Sequence, residues 1–537
     1  MIEDAKHDRS AGWLSAIRRA LPYALTAAFL AVVAAVTARH EMWRDEAQAW
    51  LLARDAASPL ALLRAMKYEG HPGLWHLILW PLAHLSWNPA WMQAAHVAIA
   101  AGAAFILLRF APFSWPVKIL LLGGYYFAYE WGVIARNYAV GVALLFGFCA
   151  LYEQRWLRFP ILGVLLFLLC HASIYTLLIV IVLLPTLAIE FAVSYAVRCR
   201  GAERCLGRFL LGLAIGACGV YAGIRQVAPP PDTGFAAAWH WRWSPERMQS
   251  VAGAVPNAYL PVPVAQAEFW NTCRFLEEPA GEGGAFWIPP KERAGFVFIA
   301  LAAGSLFFLK RPWLIVPYWL GTFALLAFFY VKYPGAHRHH GHLWLLFVAL
   351  LWMSYGYRPW RLPWRAVDWL PDFWDRHRMK ALLPLLAVHV WGAWVAARTD
   401  WQEPFTQAKA AAARIRTEFP DRSRVFFAGE GAPQATAVAS YLGLERVFYP
   451  DRDQFGSYMI WDNRRGSVDP RTMLARIARV RARTGKDAVL ILSQPLAESR
   501  VKAGGIEWLA SFEGNEAVCE RYYLYRWPAG LKADDRR

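Results

Sequence analysis

Apolar runs of membrane-spanning length recur along this chain from Leu21 to about Ala397, broken by short basic or aromatic connectors. An unpaired backbone group is costly in hydrocarbon, so such runs predict helices. Eleven are expected, at about 21–38, 90–108, 116–129, 137–152, 159–170, 173–195, 206–225, 294–309, 312–331, 342–357 and 381–397. From about Asp400 to Arg537 the pattern changes, and charges, prolines and short amphipathic stretches return. That segment predicts helices at about 403–418, 433–442 and 470–483 alternating with strands at 424–427, 446–448 and 488–492, and a late strand near 521–525. Such alternation favours a small α/β unit on a largely parallel sheet. The expected fold is a polytopic α-helical membrane protein over residues 1–398, with a soluble, non-cytoplasmic α/β domain at 399–537.

Composition agrees. Of 537 residues, 57% are hydrophobic and only 18% charged, and mean hydropathy is +0.25, a combination that a water-soluble enzyme of this size seldom shows. The net charge of +17 would suggest a nucleic-acid partner in a soluble protein. Here the basic residues gather in connectors such as Arg198-Cys199-Arg200, Lys310-Arg311 and Arg358 to Arg365, where membrane lipids account for them and no nucleic acid is needed. Many of the 29 tryptophans lie near segment ends, as an interfacial belt requires. The seven cysteines (149, 170, 199, 205, 218, 273 and 519) form no CxxC pair, which argues against a zinc ribbon or a disulfide framework. The first apolar run follows basic residues but precedes no small-residue cleavage site, so it is read as a retained helix.

Charge bias orients the helices. With the N-terminus inside, the connectors holding Arg109 and Lys118, Arg155 and Arg158, Arg198 to Arg208, Lys310-Arg311 and Arg358 to Lys380 all fall in the cytoplasm. One basic connector, Lys332 to His342, falls outside. This parity requires that His71 to Leu85, with three histidines and prolines at 72 and 81, lie in the interface rather than span. Two long loops, 40–88 and 226–293, then face outward. The first should contain helices at 46–54 and 60–68, the latter with Ser58 as cap and Pro59 at its first position.

Four constellations on that outer side can carry chemistry. Asp45-Glu46, beside Arg44, can supply a general base or a metal anchor, although acidic residues at a helix start also serve as caps. Glu69 and His71 close the same loop, and His71, restricted by Pro72, can bind a phosphate oxygen or rest as an ordinary interfacial histidine. Glu130, Arg136 and Tyr138 occupy a short turn between apolar helices, where charged groups mark a polar cavity unless they simply pair with each other. His337, Arg338 and His339, with His171 at another outer helix end, gather positive charge where the charge rule disfavours it, and an anionic phosphate would explain that. Zinc is the competing explanation, but no helical HxxxH or cysteine partner is present, so no metal and no other cofactor is expected. Gly429-Glu430-Gly431 lacks a third glycine and is read as a loop between strand and helix.

Asp45-Glu46 after the first helix, His71-Pro72-Gly73-Leu74-Trp75, and the turn from Glu130 to Tyr138 together resemble the GT-C class of membrane glycosyltransferases. Within it, they resemble the bacterial group of protein O-mannosyltransferases, aminoarabinose transferases and rhizobial lipopolysaccharide core transferases. The resemblance covers roughly residues 20–360; Gly73 stands where that group commonly has a second proline. It implies a sugar donor linked to polyprenyl phosphate, a lipid, glycan or protein acceptor, and an active site on the periplasmic face of a bacterial inner membrane. It further implies an aspartate base at Asp45, with Glu46 as its neighbour or alternate, and a second acidic position at Glu130. In-line displacement would invert the anomeric centre. Two other readings remain: a transporter or flippase of lipid-linked glycans, which should show internal repeats that are not evident here, and a non-catalytic membrane scaffold.

Overall fold

The computed structural model describes residues 2–537 except 198–201, 235–238, 279–286, 361–364, 431–433, 465–467, 515, 516, 519 and 530–537. The basic connector at 198–200, Cys199, Cys519, Gly431 and part of the connector from Arg358 to Arg365 lie outside the described residues.

Each of the eleven stretches read as spans contains helix. Six helices among the described residues are long and apolar enough to cross a membrane, at Ala16–Arg39, Ala90–Phe110, Ile174–Ala196, Cys205–Val227, Pro312–Val331 and Trp369–Gln402, so the chain is a multi-pass membrane protein. Tyr138–Leu151, Phe159–Ala172 and Arg293–Leu306 are shorter apolar helices between them. The third expected span is not continuous. A helix over Trp115–Leu122 stops at Gly123-Gly124, and a π-helical turn over Tyr125–Glu130 follows. Helices Phe159–Ala172 and Ala202–Val227 pack through Gly163 and Gly212, where a Cβ on either would collide with the facing backbone.

The stretch at 71–85 contains a helix over Leu74–Leu85. Its 12 residues reach about 18 Å, short of the ~30 Å hydrocarbon core, and it packs against Arg44–Asp55 through Trp50, Ala53, Trp75 and Leu79. The first outer loop forms its two helices much as expected. Ser58 Oγ accepts from Ala61 N at 3.2 Å and caps Pro59–Ala65, after which a 3₁₀ turn runs to Tyr68. The expectation that the four histidines 337–342 sit in a connector is corrected. They form the first turns of a helix over His337–Met353 that is buried along its whole length, because aromatic rings from the neighbouring helices surround it on every side.

The C-terminal domain is built on six strands: β1 (Val425–Gly429), β2 (Val447–Tyr449), β3 (Gln454–Gly456), β4 (Asp487–Leu492), β5 (Glu507–Phe512) and β6 (Tyr522–Trp527), in the order β3-β2-β1-β4-β6-β5. The sheet is mixed rather than largely parallel. β1 runs parallel to β2 and β4, whereas β3, β5 and β6 join antiparallel. β3, β5 and the short helix Glu498–Gly504 were not legible, since their short or exposed positions carry no clear apolar alternation. Val425, Phe427, Val489 and Ile491 pack under helices Ala408–Glu418 and Gln434–Leu442, and the alternate residues Phe426, Ala428, Ala488 and Leu490 pack under Pro470–Thr484.

This domain is not tethered loosely. Ala47, in the first outer loop, is part of its core. Tyr441 Oη receives the Met42 N–H at 2.8 Å, the Gln48 amide pairs both ways with the Met459 backbone at 2.7 and 2.9 Å, and Thr233 bridges Asp462. The loop carrying Asp45 and the C-terminal domain therefore share one end of the helical body, while Arg155, paired with Glu190 of the helix Ile174–Ala196, and the ion pair Lys310–Asp372 belong to the expected cytoplasmic connectors. We expect an impermeant maleimide to label cysteines placed at the exposed Arg64 and Lys486 from the same side of sealed vesicles, and one at Arg158 only from the other. Labelling of Arg64→Cys and Lys486→Cys from opposite sides would contradict this arrangement.

Candidate active site

The helix Arg44–Asp55 begins at Trp43, and its first turn separates the two adjacent acids. Glu46, at the third helical position, turns back: Oε2 accepts from the Trp43 N–H at 3.2 Å and lies 3.1 Å from His40 Nε2, and Oε1 accepts from the Ala135 N–H at 2.7 Å. Both of its oxygens are committed and the side chain is fully buried. The helix-start role foreseen for this pair thus belongs to Glu46. Asp45 points the other way, with 27% of its side chain exposed. Its Oδ2 is 3.1 Å from Arg136 Nη1 and 3.9 Å from Arg338 Nη2.

Three distant segments therefore meet at Asp45. Arg136 does not pair with Glu130, the bland alternative for that turn. Glu130 is buried and accepts instead from Tyr125 Oη at 2.8 Å and Trp270 Nε1 at 3.0 Å. Arg338 lies over the rings of Trp43 and Trp270, at 5.3 and 4.9 Å from their centroids, and its Nε has no hydrogen-bond partner among the described residues. Cation–π contacts of this kind hold a guanidinium in place while leaving its N–H groups for a ligand.

His71 and Tyr138 line the same cluster, their rings 6.3 Å apart, and Tyr138 also faces His339 at 5.9 Å. Burial, reinforced by Arg136 and Arg338, lowers the His71 imidazole to about 3, so it is neutral at physiological pH. Its Nδ1 is buried without a hydrogen-bond partner among the described residues. Glu69 accepts from Gln48 Nε2 at 2.8 Å, and burial, with a lesser contribution from Asp45, raises its carboxyl to about 7. His339 Nδ1 accepts the Ala336 N–H at 2.9 Å and so caps its own helix. His337 pairs with Asn257 at 2.9 Å. His171 pairs with the Phe167 carbonyl one turn back and stacks on that ring; among the described residues no hydrogen bond or ring contact joins it to the cluster.

Among the described residues no three of His, Cys, Asp and Glu converge to hold a metal ion. The arrangement can bind an anion between two guanidiniums and offer a carboxylate beside it. Sequence reasoning missed Trp43 and Trp270 as the walls around Arg338, and Gln48, Tyr175 and His342 near the cluster, because neither periodicity nor spacing marks such contacts. It also missed His40 and Asp400. His40 Nδ1 lies 2.8 Å from Asp400 Oδ2, so the ring sits between two fully buried carboxylates.

No family model matches this sequence, and no curated protein does. Among solved structures the chain is similar to the crystal structure of ArnT from Cupriavidus metallidurans bound to undecaprenyl phosphate, at 12% identity and a TM-score of 0.49, over 97% of this chain and 99% of that one.

The buried ring of His40 has a consequence for stability. Burial opposes its protonation, but Asp400 and Glu46 more than reverse this and raise it to about 10. Because that value lies above the ordinary 6.5, the stability it brings is fully present below pH 6.5 and is lost as pH rises through about 10. Asp400→Asn should therefore lower the unfolding temperature clearly at pH 7 and much less above pH 10, as a thermal-shift series would register. An equal drop at both pH values would show that the imidazolium contributes nothing.

Proposed function

We propose that this chain transfers a sugar from a polyprenyl-phosphate-linked donor to a hydroxyl acceptor, as a glycosyltransferase of the GT-C kind. One observation carries the reading. A single, partly exposed carboxylate, Asp45, lies against two guanidiniums from separate segments, while the neighbouring Glu46 has no free oxygen. The general-base role therefore falls to Asp45 and not to Glu46.

The chemistry follows from charge. Asp45, Arg136 and Arg338 together carry one net positive charge, which complements the single negative charge of a sugar phosphodiester. As the acceptor oxygen bonds to the anomeric carbon, its proton passes to Asp45 and the bond from that carbon to the phosphate oxygen breaks. The phosphate gains negative charge at that moment, and Arg136 and Arg338 stabilise it most strongly there, which is what lowers a barrier. Neutral His71 can hold a sugar hydroxyl or a phosphate oxygen without competing for the proton. The departing group is polyprenyl phosphate, and a single in-line displacement inverts the anomeric centre. The apolar helices around the site give the prenyl chain its solvent, and the site's end of the body, facing away from the basic connectors, is the periplasmic face of a bacterial inner membrane. We take the acceptor to be a lipid, glycan or protein.

Purified protein supplied with labelled polyprenyl-phospho-sugars should consume donor and release polyprenyl phosphate. Asp45→Asn should cut turnover by about 10²–10⁴-fold, the usual worth of a positioned base, with folding preserved. Arg338→Lys, which keeps the charge but loses the planar fork, should lower turnover more than donor affinity. Donor translocated but never cleaved would mark a transporter, and full activity of Asp45→Asn would remove the base. We also propose that no divalent metal takes part: turnover should survive dialysis against a chelator, and its loss, restored by a named divalent ion, would overturn that part of the reading.

A further inference from the structure

The site depends on a contact between two segments ninety residues apart, and the fully buried Glu46 is bonded to both. Its own residue follows Asp45 directly, and its Oε1 accepts the N–H of Ala135, which directly precedes Arg136, at 2.7 Å. A tight turn, with Arg136 N–H donating to Ile134 O at 2.8 Å, fixes how the arginine leaves that backbone. The 3.1 Å pair of Asp45 and Arg136 thus runs beside the Glu46 to Ala135 bond as a second rung between the same two strands of chain.

The other oxygen of Glu46 is held by His40, and His40 by Asp400, which also accepts from Tyr129 Oη at 3.0 Å. Tyr129 belongs to the turn that carries Glu130, and Asp400 to the helix Leu383–Gln402, just before the C-terminal domain. The three side chains Glu46, His40 and Asp400 are wholly inaccessible, so solvent does not screen the chain of contacts, and the ring of Phe405 packs on His40 at 4.4 Å.

Resting on the reading of Asp45 as the base, we propose that Glu46, His40 and Asp400 are positioning residues: a buried carboxylate–imidazole–carboxylate bridge that sets the distance between Asp45 and Arg136 and ties it to the helix Leu383–Gln402. None of the three touches substrate. Their effect passes through the backbone at 45 and at 135, and a small displacement of a base or of a phosphate-binding guanidinium is enough to cost rate.

The test uses the full chain in detergent or nanodiscs, with Glu46→Gln, Asp400→Asn and Tyr129→Phe as variants that keep shape. Two readouts are taken. Carboxyl footprinting with a water-soluble carbodiimide, which needs no substrate, reports how tightly Asp45 is held between its guanidiniums. We expect Asp45 to label several-fold faster in Glu46→Gln and in Asp400→Asn than in the unaltered chain, and less so in Tyr129→Phe. Turnover with a labelled polyprenyl-phospho-sugar should fall at least tenfold in Glu46→Gln with the KM for donor little changed. Unchanged Asp45 labelling in Glu46→Gln and Asp400→Asn would overturn the proposal, as would unchanged turnover. If Glu46→Gln does not fold, labelling in Asp400→Asn decides alone. Should the unaltered chain consume no donor, the sugar-transfer reading fails while the footprint still judges the bridge.

Discussion

The constraint on which this structure turns is that charged groups at the end of a helical membrane body must find partners close at hand. Burying an unpaired carboxylate costs several kcal/mol, more than most single contacts return. Glu46 meets that requirement with two backbone N–H groups and an imidazole, and by doing so fixes where the first outer loop lies against the turn before Tyr138. With Glu46 consumed in this way, Asp45 is the one of the two acids left with access to solvent, and Arg136 and Arg338 come to it. The division between a structural acid and a chemical one follows from helix geometry: the second and third positions of a first turn point about 100° apart.

Arg338 shows the same economy. It sits at the start of a helix lined with histidines, in a place where the charge rule disfavours it, and the two indoles of Trp43 and Trp270 receive its face. Trp270 also donates to Glu130 at 3.0 Å, so a single side chain of the second outer loop closes over both the cationic and the acidic side of the cluster. The C-terminal domain completes the enclosure. Gln48 joins Glu69 to the backbone of Met459, and Arg44 N–H donates to Glu520 at 3.3 Å, so the helix that carries Asp45 is held from the membrane side and from the soluble side at once.

Much of this was written in order along the chain. The helices followed from runs of apolar residues, the cap at Ser58 from its neighbour Pro59, and the β1, β2 and β4 strands from short apolar stretches between helical ones. The gathering of acids, arginines and histidines on one side followed from counting basic connectors. These are local or additive properties, legible along the chain because each depends on a window of a few to about twenty residues.

Which of these groups meet was fixed by packing between segments. That Arg136 would choose Asp45 over Glu130, that His171 would stay with its own helix, and that the histidines of 337–342 would pack inside a helix rather than line a turn all depend on which distant segments pack together. The sheet was read as largely parallel because helices alternate with strands, yet β6 enters between β4 and β5 and reverses the direction there. His40 and Asp400, 360 residues apart, carry no mark in the sequence at all. A pairing energy exists only once the fold has brought both groups out of water, and no pattern along the chain records where that happens.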